Sequence, residues 1–595
     1  MPTPSAPAAP PARAPLPAWA AELARLWNGG AHSLFLLHGN IFDLFPVRLA
    51  EGADYAPLNA FLARRLFPER GCLMFFDIGE GLTFAAPAMQ QRFFEWLRIY
   101  DEVEHTDFHQ QGPPRNFVEL APLLRRFFLH AAEEKSADRG VTLVLNFPEK
   151  LVPAAEESGA SIDERMALVT LLKWAAAPEF QLGDIGIVLV TESAAELHND
   201  LVQHPHVAIV RIPLPELAER RQFFASGWID QQARGPKLAD TGNLAGDDLA
   251  RRTSGLSLLR IEQLVVTALR AGEKLTAELL SAGKRRLIED YCQGLVRFKD
   301  PRPGVSLDYV ATHVAAKARL RELAWLIRHQ KDDVLERGVL VPGRVGVGKS
   351  FLIDCFASEC GLPVLEIGEF RSKWVGETER QQARILLTIR ALGPVIVVVD
   401  EADAVFGNRS AEGDSGVSSR VFAAFAAHLG DSSLRGRELW IAMTSRPDLL
   451  SIDLKRQGRF GLCVPLFAAQ SADEVVELFT VIARVKKIAL GDETLAYVRR
   501  ELGARPLTGS DVEAILVRAK ERAVLAGRDA DVQVGDVREA VDSFIDPLDG
   551  NLLALQELAA VLACSDRRFL PDKYRDVARS DLAGAFAEAR RRTSG

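Results

Sequence analysis

At 595 residues the chain is too long for one hydrophobic core, so two or more domains are expected. Its 48% hydrophobic and 26% charged residues are ordinary for a globular protein, and a net charge of −8 gives no global attraction for nucleic acid or an anionic membrane. The longest apolar runs, such as Val395–Val399, are strand-sized and far short of a membrane span.

Residues 1–18, MPTPSAPAAPPARAPLPA, contain no apolar signal segment and read as a disordered Pro/Ala-rich tail. The six cysteines form no C-x-x-C pair and have no histidines at zinc spacing, so buried reduced thiols in a cytoplasmic protein are expected. Order begins where Trp19, Leu23, Leu26 and Trp27 recur at helical spacing, up to Gly29-Gly30. Strands are expected at Ser33–His38, Cys72–Asp77, Val141–Phe147, Ile185–Thr191 and Val207–Ile212, and helices over Ala88–Tyr100, Phe117–Ala132 and Arg165–Ala176. This alternation predicts an α/β domain at 19–212, with a parallel sheet covered on both faces. A wholly helical stretch at 213–293 suits a lid. Residues 294–306, interrupted by Asp300-Pro301-Arg302-Pro303-Gly304, read as a linker.

The second half repeats the plan. An entry helix, Ala316–His329, precedes strands at Val339–Val341, Pro363–Ile367, Val395–Val399, Leu439–Thr444 and near Cys463–Leu466, which predicts an α/β domain at 307–466. A second helical lid is expected at 467–546 and a helical tail at 547–595, where Arg590-Arg591-Arg592 reads as a solvated helix end. The halves share an order of elements without a residue-level repeat.

Between the strand Val339–Val341 and a helix-like run from Phe351 lies Gly343-Arg344-Val345-Gly346-Val347-Gly348-Lys349-Ser350. Backbone N–H groups can wrap a phosphate only where no side chain blocks close approach, which is the work of the glycines. The helix start aims its positive end at the same phosphates, Lys349 can reach the β/γ-phosphates, and the Ser350 hydroxyl can hold Mg²⁺. About fifty residues on, the apolar run Val395–Val399 emerges into Asp400-Glu401, at the strand end where open α/β sheets bind ligands. Asp400 is placed to hold Mg²⁺ through water, and Glu401 to take a proton from the attacking water.

GRVGVGKS, KWVGETE (Lys373–Glu379), VVVDEAD (Val397–Asp403), MTSRPD (Met443–Asp448) and DLKRQGRF (Asp453–Phe460) occur in one order and at one set of spacings. Together they resemble the AAA branch of the AAA+ ATPases, the group of katanin, spastin and N-ethylmaleimide-sensitive factor, over Asp308–Phe544. The resemblance implies a homo-oligomeric ring, usually a hexamer, with ATP sites between neighbouring subunits. It also implies that Lys373, Trp374 and Val375 line a central pore where an aromatic grips a threaded polypeptide, although Trp374 could instead pack in a core. Arg456 and Arg459 match arginine fingers that reach the next subunit's ATP; surface salt bridges are the alternative reading. Gly509, in Thr508-Gly509-Ser510-Asp511, matches the lid-helix start that gives the nucleotide room. The family's sensor asparagine falls on Ser445, whose shorter hydroxyl predicts slower turnover, and its paired glycines beside adenine are replaced near Ala311-Thr312.

The first half lacks these groups. Cys72–Asp77, read as the strand before a phosphate loop, is followed by Ile78-Gly79-Glu80-Gly81-Leu82 without G-K-S/T, and Val141–Phe147 ends in Asn146-Phe147 where Asp-Glu would stand. The first half is therefore read as a catalytically dead AAA+ module. The expectation for the whole is a Mg-ATPase that remodels, disassembles or threads a protein substrate. A regulatory scaffold without translocation is the alternative, and the acidic balance argues against a nucleic-acid motor.

Overall fold

Strands that are apolar at every position must be buried on both faces, and the chain meets that demand twice. The computed structural model describes residues 15–48, 53–133, 140–154, 160–240, 244, 246–299, 306–368, 377–406, 417–528, 531–545 and 549–594. The chain divides into two units, Met1–Cys292 with Ser372–Ala391, and Gln293–Arg371 with Leu392–Gly595.

The first unit is built on β1 (Leu34–Gly39), β4 (Cys72–Asp77), β5 (Gly81–Phe84), β6 (Val141–Asn146), β7 (Ile185–Thr191) and β8 (Val207–Ile212); β2 (Phe45–Arg48) and β3 (Asp54–Ala56) pair as a separate hairpin. The sheet order is β5-β4-β6-β7-β1-β8, parallel except for β5. Successive residues of a strand face opposite sides. Phe35, Leu37, Val188 and Val190 pack with Trp19, Leu23 and Phe61, whereas Leu34, Leu36, Ile187 and Leu189 pack with Phe117, Leu124, Phe127 and Trp174. Helices Leu217–Ala225, Trp228–Ala233, Gly246–Arg252, α1 (Leu258–Arg270) and Ala277–Tyr291 follow the sheet. Helix Glu377–Leu392 is grouped with this unit up to Ala391. Its Arg384 donates from Nε and Nη2 to both Glu192 oxygens, at 2.9 and 2.7 Å.

One expectation is corrected here. The central place between β7 and β8, where a phosphate loop would follow, belongs to β1 and not to Cys72–Asp77. Apolar runs locate strands but carry no information on their lateral order. The segment after β1 then turns into the β2–β3 hairpin, where an active module would start a helix.

The second unit contains β9 (Val296–Lys299), β10 (Gly338–Pro342), β11 (Val364–Ile367), β12 (Val395–Val399), β13 (Glu438–Thr444) and β14 (Leu462–Cys463), in the order β14-β10-β13-β12-β11-β9. Without the antiparallel edge strands β5 and β9, the two sheets have the same topology. β9 is a second correction, since the 294–306 stretch expected as a linker supplies a strand that pairs with β11. Breakers on either side of the four-residue run VRFK hid it.

α2 (Lys349–Cys360) follows β10, and α3 (Gly509–Leu525) belongs to a helical lid with its own core around Phe479, Val498, Ile515 and Val537. Helices Gly550–Ala563 and Arg579–Ser594 end the chain, with Val561 and Leu582 packed on Phe467. At the start of β10, Arg337 is a buried cation whose guanidinium donates to the carbonyls of Leu429, His428, Leu434 and Glu438 and lies 3.8 Å from the Glu438 carboxylate. His428 Nε2 is 2.7 Å from the same carboxylate. Burial alone would push Glu438 up, but the hydrogen bond and charge of His428, then Trp440 and Arg337, hold it below its usual range. No helix among the described residues is long and apolar enough to cross a membrane.

Candidate functional site

β10 is wholly buried, and its carboxyl end delivers the glycine-rich loop to the open edge of the second sheet. Gly346 and Gly348 both adopt φ of +87°, which only glycine takes without strain. At Gly346 a Cβ would also collide with the Ser510 hydroxyl. Gly348 caps α2, so the helix starts at Lys349 with its free N–H groups facing the loop. Lys349 Nζ donates to the carbonyls of Gly343 (2.8 Å) and Arg344 (3.1 Å). Burial lowers the Lys349 pKa, and the charges of Asp400, Asp403 and Glu401 act against that fall.

Ser350 Oγ donates to Asp400 Oδ2 at 3.2 Å, bringing a hydroxyl and a carboxylate from two elements to one point. These are hard oxygen donors of the kind Mg²⁺ accepts beside phosphate and water. Glu401 follows β12 in the left-handed region, φ +47°, and its side chain is exposed. Thr444, at the end of β13, donates to Asp403 and accepts from the Arg446 N–H at 2.9 Å. Ser445 comes next. Lys349, Ser350, Asp400, Glu401, Ser445 and Gly509 all border one cavity of about 600 Å³, which Val345, Gly346, Val347, Gly348 and Phe351 also line. That volume suits a nucleotide-sized ligand.

The lid closes one side of the cavity. Thr508 and Asp511 form a reciprocal capping box at the start of α3, and Ser510 N–H donates to the Gly346 carbonyl at 3.2 Å. On another wall stand Ala311 and His313, and both His313 and its neighbour Thr312 have left-handed φ, +50° and +61°. His313 hydrogen-bonds the Val347 backbone, and burial lowers its ring to about 4. Sequence reasoning noted the changed residues at Ala311-Thr312 but missed His313, which only the fold brings against the loop.

The arginines do not enter this cavity. Arg456 is paired with Asp453 at 3.0 Å, its side chain 71% exposed, and Arg459 Nη1 donates to the Asp453 carbonyl at 2.9 Å. The Arg344 side chain turns away to the Pro506 carbonyl, so this residue offers the site only its backbone. Gln556 was not foreseen: from helix Gly550–Ala563, with 4% exposure, its Oε1 accepts the Val345 N–H at 3.2 Å. Helical periodicity could not single it out, because its partner lies 211 residues earlier. Lys373, Trp374 and Val375 lie outside the described residues.

A P-loop before a helix, a strand ending in Asp-Glu and an adjoining helical lid define an AAA+-type nucleotide site. Three family models match the chain. An AAA+ chaperone N-terminal Rossmann-like domain covers residues 7–213, an AAA+ chaperone second helical domain covers 218–293, and the AAA domain, "ATPase family associated with various cellular activities", covers 339–466. The chain belongs to the AAA+ ATPases. It is similar to the rat peroxisomal ATPase PEX6, 29% identical over 45% of this chain and 30% of the relative. It is also similar to the ATPase family protein 2 homolog of Caenorhabditis elegans, 30% identical over 36% of this chain and 30% of the relative. A cell division cycle protein 48 homolog of Archaeoglobus fulgidus is 24% identical over 79% of this chain and 64% of the relative. The chain spans about 30% of the length of the first two of these relatives.

Proposed function

We propose that this protein is a Mg²⁺-dependent, cytoplasmic ATPase that remodels or disassembles a protein partner, with hydrolysis confined to the second module. The observation that carries the reading is the convergence of Lys349, Ser350, Asp400 and Glu401 on the cavity of about 600 Å³. Bound Mg-ATP supplies the phosphoanhydride bond and the charge that the metal neutralises. Loop N–H groups and Lys349 would hold the phosphates, and Ser350 and Asp400 would hold the metal. Glu401 accepts the proton of the attacking water, and Ser445 orients that water with one short hydroxyl.

Arg456 and Arg459 lie in a turn and border no part of their own cavity, Arg456 exposed and Arg459 half-buried, as residues serving a neighbouring copy's γ-phosphate would be. That role requires a homo-oligomer, and a hexameric ring agrees with the family. Lys373, Trp374 and Val375 are proposed to grip the protein substrate. The first module, with Asn146 and Phe147 in place of the acidic pair, is proposed to be catalytically silent.

Glu401→Gln tests the reading. The variant is expected to bind ATP with near-normal affinity, to lose roughly 10²-fold or more in turnover, and to co-purify protein partners in ATP. Turnover within about threefold of the parent would remove Glu401 from its role.

A further inference from the structure

In the second module a backbone hydrogen bond joins the phosphate loop to the lid, from the N–H of Ser510, the second residue of α3, to the Gly346 carbonyl. In the first module the segment after the central strand β1 reaches its lid at the same helix position, and the acceptor there is a charge. Leu259, the second residue of α1, donates its N–H to Asp43 Oδ1 at 2.9 Å. The Asp43 carboxylate is 4% exposed. It also accepts the N–H of Leu44 at 2.8 Å and the side-chain amide of Asn40 at 2.6 Å, and the Leu258 backbone contributes a further hydrogen bond.

Amide donors from the turn after a central strand, together with the first N–H groups of a lid helix brought to it by the fold, form the kind of cradle that proteins build for phosphate. Burial pushes the Asp43 carboxyl up to about 6, and the four hydrogen bonds hold it from rising further, so it is ionised at neutral pH. Around it the remaining nucleotide features are gone. Phe42 and Phe147 are exposed with ring centroids 6.2 Å apart, at the strand ends where an active module has its loop and its acidic pair.

We propose that the first module keeps an anion site of the nucleotide-phosphate kind and fills it with the carboxylate of Asp43. Phosphate-bearing ligands are thereby excluded, and the lid is held to the sheet without nucleotide. The first module is then a fixed part, insensitive to ATP, while the second one cycles. This goes further than the proposal that the first module is silent and rests on it. Stoichiometric ATP on the first module of the parent chain would end both, whereas the variants below test only the filled site.

The experiment uses the full chain carrying Lys349→Ala, to keep the second site out of the readout, with and without Asp43→Ala. Hydrogen exchange is followed at Leu258 and Leu259, and inorganic phosphate at millimolar concentration is the probe. With Asp43 present, exchange should be slow and indifferent to phosphate. With Asp43→Ala it should rise about tenfold or more and fall again on adding phosphate. Exchange that does not rise overturns the proposal. So does a rise that phosphate fails to reverse, because Asp43 would then be only a helix cap. Should Asp43→Ala not fold, Asp43→Asn fills the same space without charge. It should exchange faster than the parent and stay indifferent to phosphate, and protection by phosphate around that filled position would equally contradict the proposal.

Discussion

Phe147 stands in the first module where Glu401 stands in the second. Each follows the third strand of its parallel set, Phe147 directly after β6 and Glu401 one residue further on after β12, and each is left-handed, with φ of +54° and +47°. The correspondence extends beyond the backbone. Thr191 Oγ1 donates to Glu149 at 3.0 Å, just as Thr444 Oγ1 donates to Asp403, three residues after Asn146 and Asp400 respectively. The scaffold that positions the Glu401 carboxylate in the second module is thus kept in the first around a phenyl ring.

Restoring the acid alone should therefore restore nothing. The double substitution Asn146→Asp with Phe147→Glu, in a chain carrying Lys349→Ala, is expected to leave ATP turnover at background. The segment that follows β1 carries no lysine, and the β2–β3 hairpin stands where the helix N-terminus would bind phosphate. Measurable hydrolysis in this variant would show that the first module had lost only its acids.

Gln556 ties a helix near the end of the chain to the phosphate loop through the Val345 N–H. Gln556→Leu fills the space without an acceptor. It should raise the KM for ATP by about 3- to 30-fold, the worth of one buried hydrogen bond, and change kcat less. Steady-state kinetics over an ATP series decides this, and an unchanged KM would make Gln556 a packing residue only.

Arg337 and Glu438 are both about 1% exposed at the side chain. Arg337→Ala leaves the Glu438 carboxylate buried with the His428 ring and the Trp440 N–H as its remaining side-chain partners in hydrogen-bond reach, so a loss of about 3–5 kcal/mol is expected. Replacing Arg337 by Met and Glu438 by Gln together should cost less than the single change. Denaturant melts of the three variants measure the difference.

Asp43 gives the first module an acid-side gain in stability. Its folded pKa of about 6 lies above the reference value of 3.8, so between these values the folded state binds the proton more tightly. The contribution is full below about pH 4, is lost as pH rises through 6, and has an upper bound of about 3 kcal/mol. Asp43→Asn should flatten this part of the stability profile between pH 4 and 7. An unaltered profile would mean that Asp43 does not titrate there.

The strands of both sheets were legible because buried parallel strands are unbroken apolar runs: Ile185–Thr191, Val207–Ile212 and Val395–Val399 fall at their expected bounds. The site was legible where its parts sit close together in sequence, as from Gly343 to Ser350 and at Asp400-Glu401. The order of strands was not, so β1 was passed over in favour of Cys72–Asp77, and the short β9 was hidden among breakers. Gln556, His313 and Asp43 escaped notice for one reason. Each acts on a backbone group that only the fold brings near, and a lone Gln, His or Asp carries no pattern of its own.

The most direct measurement is steady-state ATP hydrolysis by the full chain carrying Lys349→Ala, with the first module untouched. The account predicts a rate at background, because every phosphate-binding and acid–base group used for catalysis lies in the second module. Turnover at a substantial fraction of the parent rate would contradict it, by placing hydrolysis in the module that ends its strand with Asn146 and Phe147.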